Sequence, residues 1–459
     1  MPRLLLINPS AAGHGLGNVK ATAWPPLSLP YLAAVTPAHW QVSLLDENVE
    51  PVTVREADLV GITAYTASVN RAYAISSAYR ERGIPTVLGG IHVSMRPEEA
   101  EQFCDSVVIG EAENLWPTVV ADFERSELKR RYQGGPVDLA TLPLPRRELL
   151  DSSRYRFGSL QTSRGCPMRC SFCSVTAFNG QRFRRRPLEL VLEEVAQIPQ
   201  KLVLLADDNI LGYGNQDREW ARCFFEAVVR RRMGKIFYAQ STIALGEDPK
   251  LLRLAYRAGL RIVFVGLESV SQDTLRGFHK ALNLKAASTG QMEELIKAIR
   301  TSGIAVVGGF VLGADGDDKG VFDETFRFVH DSGVDALQVT KPTPLPGTQL
   351  WEEMTRGGRL LKSNFPADWD EYRFTKMVFE PAQLSVEEIY RGFTYLRMKY
   401  YGRAETVRRS LRTLAATKSP TAAALAFLFD RSYRNAFFQS EHYARYRDCD
   451  LGKPFAAQS

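Results

Sequence analysis

Short apolar runs of strand length alternate with helix-length amphipathic stretches twice along this chain, and that alternation limits the fold more than any other feature. The first run of strand candidates lies at 4–8, 42–46, 59–63, 86–89 and 106–110. Helix candidates at 27–35, 68–82, 97–103 and 114–125 fall between them, with Ser68 as predicted N-cap of the second. Continuous apolar strands are buried on both faces, so residues 1–125 predict an α/β domain with a parallel, doubly wound sheet. Such sheets bind ligands outside their C-terminal strand ends. Residues 126–156 predict an extended linker, because Gly134-Gly135-Pro136 and Leu142-Pro143-Leu144-Pro145 break helix and sheet alike. The second alternation, residues 157–364, has strand candidates at 159–163, 202–206, 236–241, 262–267, 305–312 and 336–340. Six β/α units suit a partial barrel. Residues 365–459 are aromatic, basic and helical by period, with a capping box at Ser385.

Composition narrows the class. The 459 residues are 45% hydrophobic and 24% charged, a globular balance that excludes a disordered or fibrous chain. No apolar run reaches the ~20 residues of a membrane helix. The start, MPRLLLINPS, reads as a strand without a cleavage site, so a cytoplasmic protein is expected. The net charge of +6 is concentrated late: from Arg391 onward there are 13 Lys/Arg against 5 Asp/Glu. A basic tail suits nucleic acid, an anionic membrane surface, an acidic substrate or simply a solvated helical face. Within it, the apolar run 421–429 follows Arg403, Arg408, Arg409, Arg412 and Lys418. That pattern reads either as an interfacial helix on anionic lipid or as a core helix closing the barrel.

Six cysteines are too few for a disulfide scaffold. Cys104, Cys223 and Cys449 are scattered, whereas Gly165-Cys166-Pro-Met-Arg-Cys170-Ser-Phe172-Cys173 places three thiols at spacings of four and three. Three thiolates leave one iron of a four-iron cube open to a further ligand. A zinc site would need a fourth Cys or His, and the next cysteine is 50 residues on.

This CxxxCxxC loop, set after the first strand of a partial barrel, resembles that of the radical S-adenosylmethionine superfamily. The resemblance implies a [4Fe–4S] cluster on Cys166, Cys170 and Cys173, whose open iron chelates S-adenosylmethionine and yields a 5′-deoxyadenosyl radical. It carries further contacts with it. Asp207-Asp208-Asn209 after the second strand resembles the form in the cobalamin-linked branch that takes the ammonium of S-adenosylmethionine; otherwise it is a strand-end turn. Glu268 after the fourth strand would reach the ribose or methionine part, Gly309 on the fifth the adenine, and Gln240 and Ser241 the same cofactor. Lys341-Pro-Thr-Pro-Leu-Pro-Gly347 resembles the branch's proline–glycine loop.

The first domain resembles the Rossmann-like cobalamin-binding domain of that branch, through Asn8-Pro9, Asp46-Glu47-Asn48, Gly89-Gly90-Ile-His92, Pro97-Glu-Glu and Gly110-Glu111-Ala-Glu113. Implied cobalamin contacts are Asp46, Asn48, Thr63, Ser68, Gly89, Gly90, His92, Gly110 and Glu111; His92 reads equally as a satisfied loop histidine. Asp46-Glu47-Asn48 stands where other cobalamin domains carry a lower-ligand histidine, which implies cobalt without one. Residues 368–372 and 379–385 resemble the extension of hopanoid methylases and their relatives.

The resemblance implies a cobalamin-dependent radical enzyme that C-methylates an unactivated carbon of a hydrophobic small molecule, an isoprenoid or tetrapyrrole. An external donor such as flavodoxin or ferredoxin would supply electrons. Two other functions stand beside it: a non-methylating rearrangement, ring contraction or cyclisation, and a cobalamin or iron–sulfur carrier. Residues 182–186, Arg-Phe-Arg-Arg-Arg, could suggest RNA. The tRNA methylthiotransferases that share this layout need cluster cysteines in the first domain, which has only Cys104. No nucleic acid partner is therefore expected, and the arginines are read as pairing with anionic cofactor groups or solvent. No catalytic acid or base is identified.

Overall fold

A computed structural model describes residues 1–11 and 24–458. It divides into two compact units that share the chain in alternation: 1–167, 173–200 and 344–378 form the first, and 168–172, 201–343 and 379–459 the second.

In the first unit, β1 (Arg3–Asn8), β2 (Gln41–Asp46), β3 (Leu59–Thr63), β4 (Thr86–Gly89), β5 (Ser106–Ile109) and β6 (Arg131–Gln133) form one parallel sheet in the order β2-β1-β3-β4-β5-β6. Helices cover both faces, as continuous apolar strands require. Leu5 and Ile7 of β1 pack with Val69, Ala72 and Tyr73 of the helix Val69–Arg80, while Leu4 and Leu6 pack with Leu29 of one helix and Trp116 and Val119 of another. The strand order reverses between β1 and β3, the switch point that opens a ligand crevice at the C-terminal strand ends.

Three local expectations change. β6 lies in the stretch expected to be linker; Tyr132 alone of its three residues is buried, so it carries little apolar signal. Ser68 precedes the helix Val69–Arg80, but its hydroxyl bonds back to the Tyr65 carbonyl at 3.2 Å and does not cap. The strand expected at 159–163 is divided into β7 (Phe157–Leu160) and β8 (Ser163–Arg164), and β8 pairs antiparallel with β9 (Arg184–Arg185).

In the second unit, β10 (Leu202–Leu205), β11 (Ile236–Ser241), β12 (Leu260–Glu268), β13 (Ala305–Val311) and β14 (Ala336–Thr340) run parallel in chain order. The helices Val386–Tyr400, Arg403–Thr417 and Pro420–Phe438 follow. Ser385 and Glu388 form the expected capping box, with Glu388 N–H donating to Ser385 Oγ at 3.2 Å. The apolar run 421–429 is core: Ala422, Leu425, Ala426 and Phe429 are buried, and Phe429 meets the Tyr238 ring of β11 at 4.9 Å. Phe427 of that run is exposed, and a row of exposed apolar side chains lies one helix earlier, at Val407, Leu411 and Leu414. Among the described residues no helix is long and apolar enough to cross a membrane.

Candidate functional site

The cysteine loop contributes to both units. In the first, Gly165 takes φ +87°, and a Cβ there would lie 2.2 Å from the Arg182 carbonyl oxygen, so only glycine fits this approach. Cys166 N–H then donates to Gly180 O at 3.2 Å, and Cys173 directly precedes the helix Ser174–Asn179. In the second, Ser171 Oγ donates to Gly277 O at 2.9 Å and its N–H to Phe278 O at 3.2 Å. Phe172 meets Phe278 edge-on at 4.8 Å, which makes it a packing residue. Cys166, Cys170 and Cys173 are half-buried, and no cysteine is in a disulfide. Thiols are the donors an iron–sulfur cluster takes, but among the described residues no group of three or more His, Cys, Asp or Glu side chains is placed to hold a metal ion.

At the C-terminal end of β10 the acidic pair divides. Asp207 is fully buried and Asp208 is exposed. Surrounding protein mass and the charge of Asp207 nonetheless push the Asp208 carboxyl up to about 6. A carboxylate pair that disfavours its own charge fits a cationic ligand group. Asn209 turns inward: its Oδ1 accepts from Ser241 Oγ at 3.3 Å and Thr242 N at 3.4 Å, and its Nδ2 donates to Gly212 O at 2.6 Å. It thereby ties the ends of β10 and β11, and Gln240 O accepts from Ile210 N at 3.0 Å in the same seam.

Glu268 ends β12 at a register shift beyond Gly266, with φ +67°. A non-glycine residue in that region is strained, and a bulge of this kind re-aims a side chain. Its Oε1 pairs with Lys280 Nζ at 2.8 Å. Gly309 on β13 has a steric reason of its own: a Cβ there would stand 2.3 Å from the Phe264 ring.

In the first unit, Asp46 is spent on structure. Its Oδ1 accepts from Asn8 Nδ2 at 2.9 Å and Asn48 Nδ2 at 2.7 Å, and its Oδ2 from Tyr155 OH at 2.9 Å. Gly90 takes φ +98°, and a Cβ would lie 2.8 Å from Thr63 Oγ1 and from Ala64 N. Gly89 O accepts from Ala64 N at 2.9 Å, and Ser94 Oγ ties Gly90 O to Gly110 N at 2.8 and 2.9 Å. Thr63, Gly89, Gly90 and Gly110 are thus drawn together at adjacent strand ends. Ser68 lies beyond them in the Tyr65 turn.

His92 is buried with both ring nitrogens engaged, Nδ1 with Thr66 Oγ1 at 3.1 Å and Nε2 with Glu99 Oε1 at 3.5 Å. Burial holds its pKa below the ordinary value despite Glu99. Glu99 also accepts from Tyr73 OH at 2.9 Å and from Trp369 Nε1 at 2.8 Å. The stretch 368–372 therefore serves this network and the sheet core, a role its sequence does not announce.

Glu111 is likewise enclosed. It accepts from Arg164 Nη1 at 3.1 Å, Arg184 Nη1 at 3.0 Å and Val137 N at 2.9 Å. Burial raises its pKa, but the hydrogen bond from Arg184 and the charge of Arg164 outweigh that and hold it below the usual range. The arginine run differs from expectation here: Arg184 is committed to Glu111 and Arg186 to Glu194, both inside the protein.

Residues 160–329 match the model of the radical SAM superfamily, and residues 13–120 that of the B12 binding domain. The chain is 28% identical to the bacteriochlorophyllide d C-8(2)-methyltransferase of Chlorobaculum tepidum over 77% of its own length and 80% of that protein. It is 27% identical to the hopanoid C-2 methylase of Rhodopseudomonas palustris, over 74% and 66%. Its fold resembles the radical S-adenosylmethionine methyltransferase TsrM of Kitasatospora setae, solved with cobalamin and a [4Fe–4S] cluster, at a TM-score of 0.66 and 17% identity over 88% and 90% of the two chains.

Proposed function

Because the chain joins a B12 binding domain to a radical SAM domain and so belongs to the cobalamin-dependent radical SAM methyltransferases, we propose that it transfers a methyl group to an unactivated carbon of a hydrophobic small molecule. The observation that carries the reading is the Asp207–Asp208 pair at the end of β10, whose raised carboxyl suits the ammonium of S-adenosylmethionine. Cys166, Cys170 and Cys173 would hold the [4Fe–4S] cluster. Glu268, Gln240 and Ser241 would face the ribose and methionine parts, and Gly309 the adenine. Asn48, Thr63, Ser68, Gly89, Gly90 and Gly110 would border cobalamin, with Asp46, His92 and Glu111 positioning those loops, while Asn209 would position the ends of β10 and β11.

When bound, the cluster and S-adenosylmethionine supply a carbon radical that abstracts hydrogen, and cobalamin supplies the methyl group. The protein binds, orients and excludes water and oxygen. The methylating relatives act on a bacteriochlorophyllide and a hopanoid, which supports a bulky tetrapyrrole or isoprenoid substrate here. Such a substrate partitions into lipid. The helix Arg403–Thr417 exposes Val407, Leu411 and Leu414 beside Arg403, Arg408 and Lys418, a face suited to an anionic membrane surface.

The test is anaerobic purification with cobalamin supplied, followed by ultraviolet–visible spectra of the wild type and a Cys166→Ala/Cys170→Ala/Cys173→Ala variant. Corrin absorbance in both, with iron–sulfur absorbance and dithionite-dependent 5′-deoxyadenosine in the wild type only, is expected. Wild-type protein with the cluster but without stoichiometric corrin would remove cobalamin from the reading.

A further inference from the structure

The chain at Glu268 turns more sharply than the end of a strand requires. Ser269 N–H donates to Leu267 O at 2.9 Å, the i→i+2 bond of a γ-turn, and φ +67° at Glu268 gives that turn its rare, strained hand. A residue held in this region persists only where its surroundings enforce it, and such residues cluster at ligand sites. The enforcing group is Asn283. Its Nδ2 donates to Gly266 O at 2.7 Å and to Leu267 O at 2.8 Å. Consecutive carbonyls of a regular strand point to opposite sides, so one amide meets both only across the bulge. Asn283 is 3% exposed, and it and Ala286 are the buried residues of the helix Ala281–Ser288. No apolar stripe docks that helix; a polar side chain with both N–H groups taken does so. The same segment steadies the carboxylate. Lys280 Nζ, one residue before the helix, pairs with Glu268 Oε1 at 2.8 Å. A Cβ on Gly266 would lie 2.5 Å from that oxygen, so the carboxylate lies back over the glycine.

We propose that Asn283 is a positioning residue for S-adenosylmethionine: it locks the turn that carries Glu268, and Glu268 meets that molecule in the direction the lock sets. The inference rests on the reading that Glu268 faces the ribose or methionine part, and it adds what holds Glu268 there. The group met by this turn is a hydrogen-bond donor, a ribose hydroxyl or the ammonium, because an ionised carboxylate only accepts.

The test is a double-mutant cycle read in affinity. S-adenosylmethionine is titrated calorimetrically into the anaerobic holoenzyme, as wild type, Glu268→Ala, Asn283→Ala and the double variant. Glu268→Ala should weaken binding about tenfold or more, the size of a lost hydrogen bond to a charged group. Asn283→Ala should weaken it roughly tenfold with Glu268 present and less than about twofold in the Glu268→Ala background, because two residues that act through one contact are not additive. A purely structural brace would weaken binding by the same factor in both backgrounds, or in neither; either result overturns the proposal while leaving Glu268 as a contact. Should Asn283→Ala fail to load cobalamin, Asn283→Ser, which keeps one donor, carries the cycle with a smaller loss and the same non-additivity. Binding by Glu268→Ala within about twofold of the wild type removes Glu268 from the S-adenosylmethionine site, and the proposal falls with it. 5′-Deoxyadenosine formation is measured separately: its absence from the wild type removes the enzyme reading, while the coupling of Asn283 to Glu268 is still judged from affinity alone.

Discussion

Replacing Glu111 by alanine removes one acceptor shared by two enclosed guanidinium groups. Glu111 is 4% exposed, and it binds Arg164, Arg184 and the buried amide of Val137. Arg164 keeps a second carboxylate, Glu113 Oε1 at 2.6 Å. Among the described residues Arg184 keeps only neutral carbonyls, Val137 O at 2.7 Å and Asn179 O at 3.1 Å, so its charge is the one left uncompensated. Removing one partner of a buried pair costs about 3–5 kcal/mol, and the orphaned amide about 1–3. These terms overlap, and Arg184 reaches some solvent, so about 4 kcal/mol is expected. Glu111→Gln keeps the shape and one acceptor and should lose about half of that. The sign with pH follows from the lowered carboxyl: the stabilisation is present above the ordinary carboxylate range and is lost as pH falls through the lower folded value. Urea denaturation followed by circular dichroism, with bound corrin read on the same samples, measures it. A Glu111→Ala protein within 1 kcal/mol of wild type yet devoid of cobalamin would refute the reasoning, because Glu111 would then be a ligand contact and not a clamp.

Other predictions follow from single contacts. With Asp208 raised to about 6, S-adenosylmethionine should bind with proton release between about pH 4 and 6 and weaken on acidification through 6; calorimetry in two buffers of different ionisation enthalpy reads the proton, and Asp208→Asn should abolish it. Gly309→Ala should cost about 1–3 kcal/mol through the Phe264 ring, and Phe264→Leu in the same chain should recover much of it. Trp369→Phe should cost about 1–3 kcal/mol in thermal or urea unfolding by leaving Glu99 short of a donor. Leu411→Ser should weaken sedimentation with anionic vesicles roughly tenfold and leave neutral vesicles little changed.

The strands of the first sheet were legible because burial on both faces writes them as unbroken apolar runs, and β1, β3 and β4 lie where the residues indicate. β6 was not, because a three-residue edge strand with one inward side chain has no period to read. The arginine run shows a different limit. Its partners Glu111 and Glu194 are carboxylates 73 and 8 residues away, and charge alone does not say which sign lies opposite in space. Ser68 has the right identity for a cap, yet a nearer carbonyl takes its hydroxyl. The acidic residues after β10 were legible as a pair but not as one buried and one open carboxylate, and the positive φ of Glu268 has no signature in residue type.

The return of residues 344–378 to the first unit has a consequence in time. Tyr73, Phe103 and His92 form a surface early in synthesis, but the Trp369 and Tyr372 rings that cover it are more than two hundred residues further on. At the ~5–20 residues per second of translation, that surface waits roughly 10 to 50 seconds for its cover. A nascent chain of this protein should therefore depend on chaperones most over that interval, and a gene truncated just before codon 365 should yield a sticky product even though every strand of the first sheet is intact.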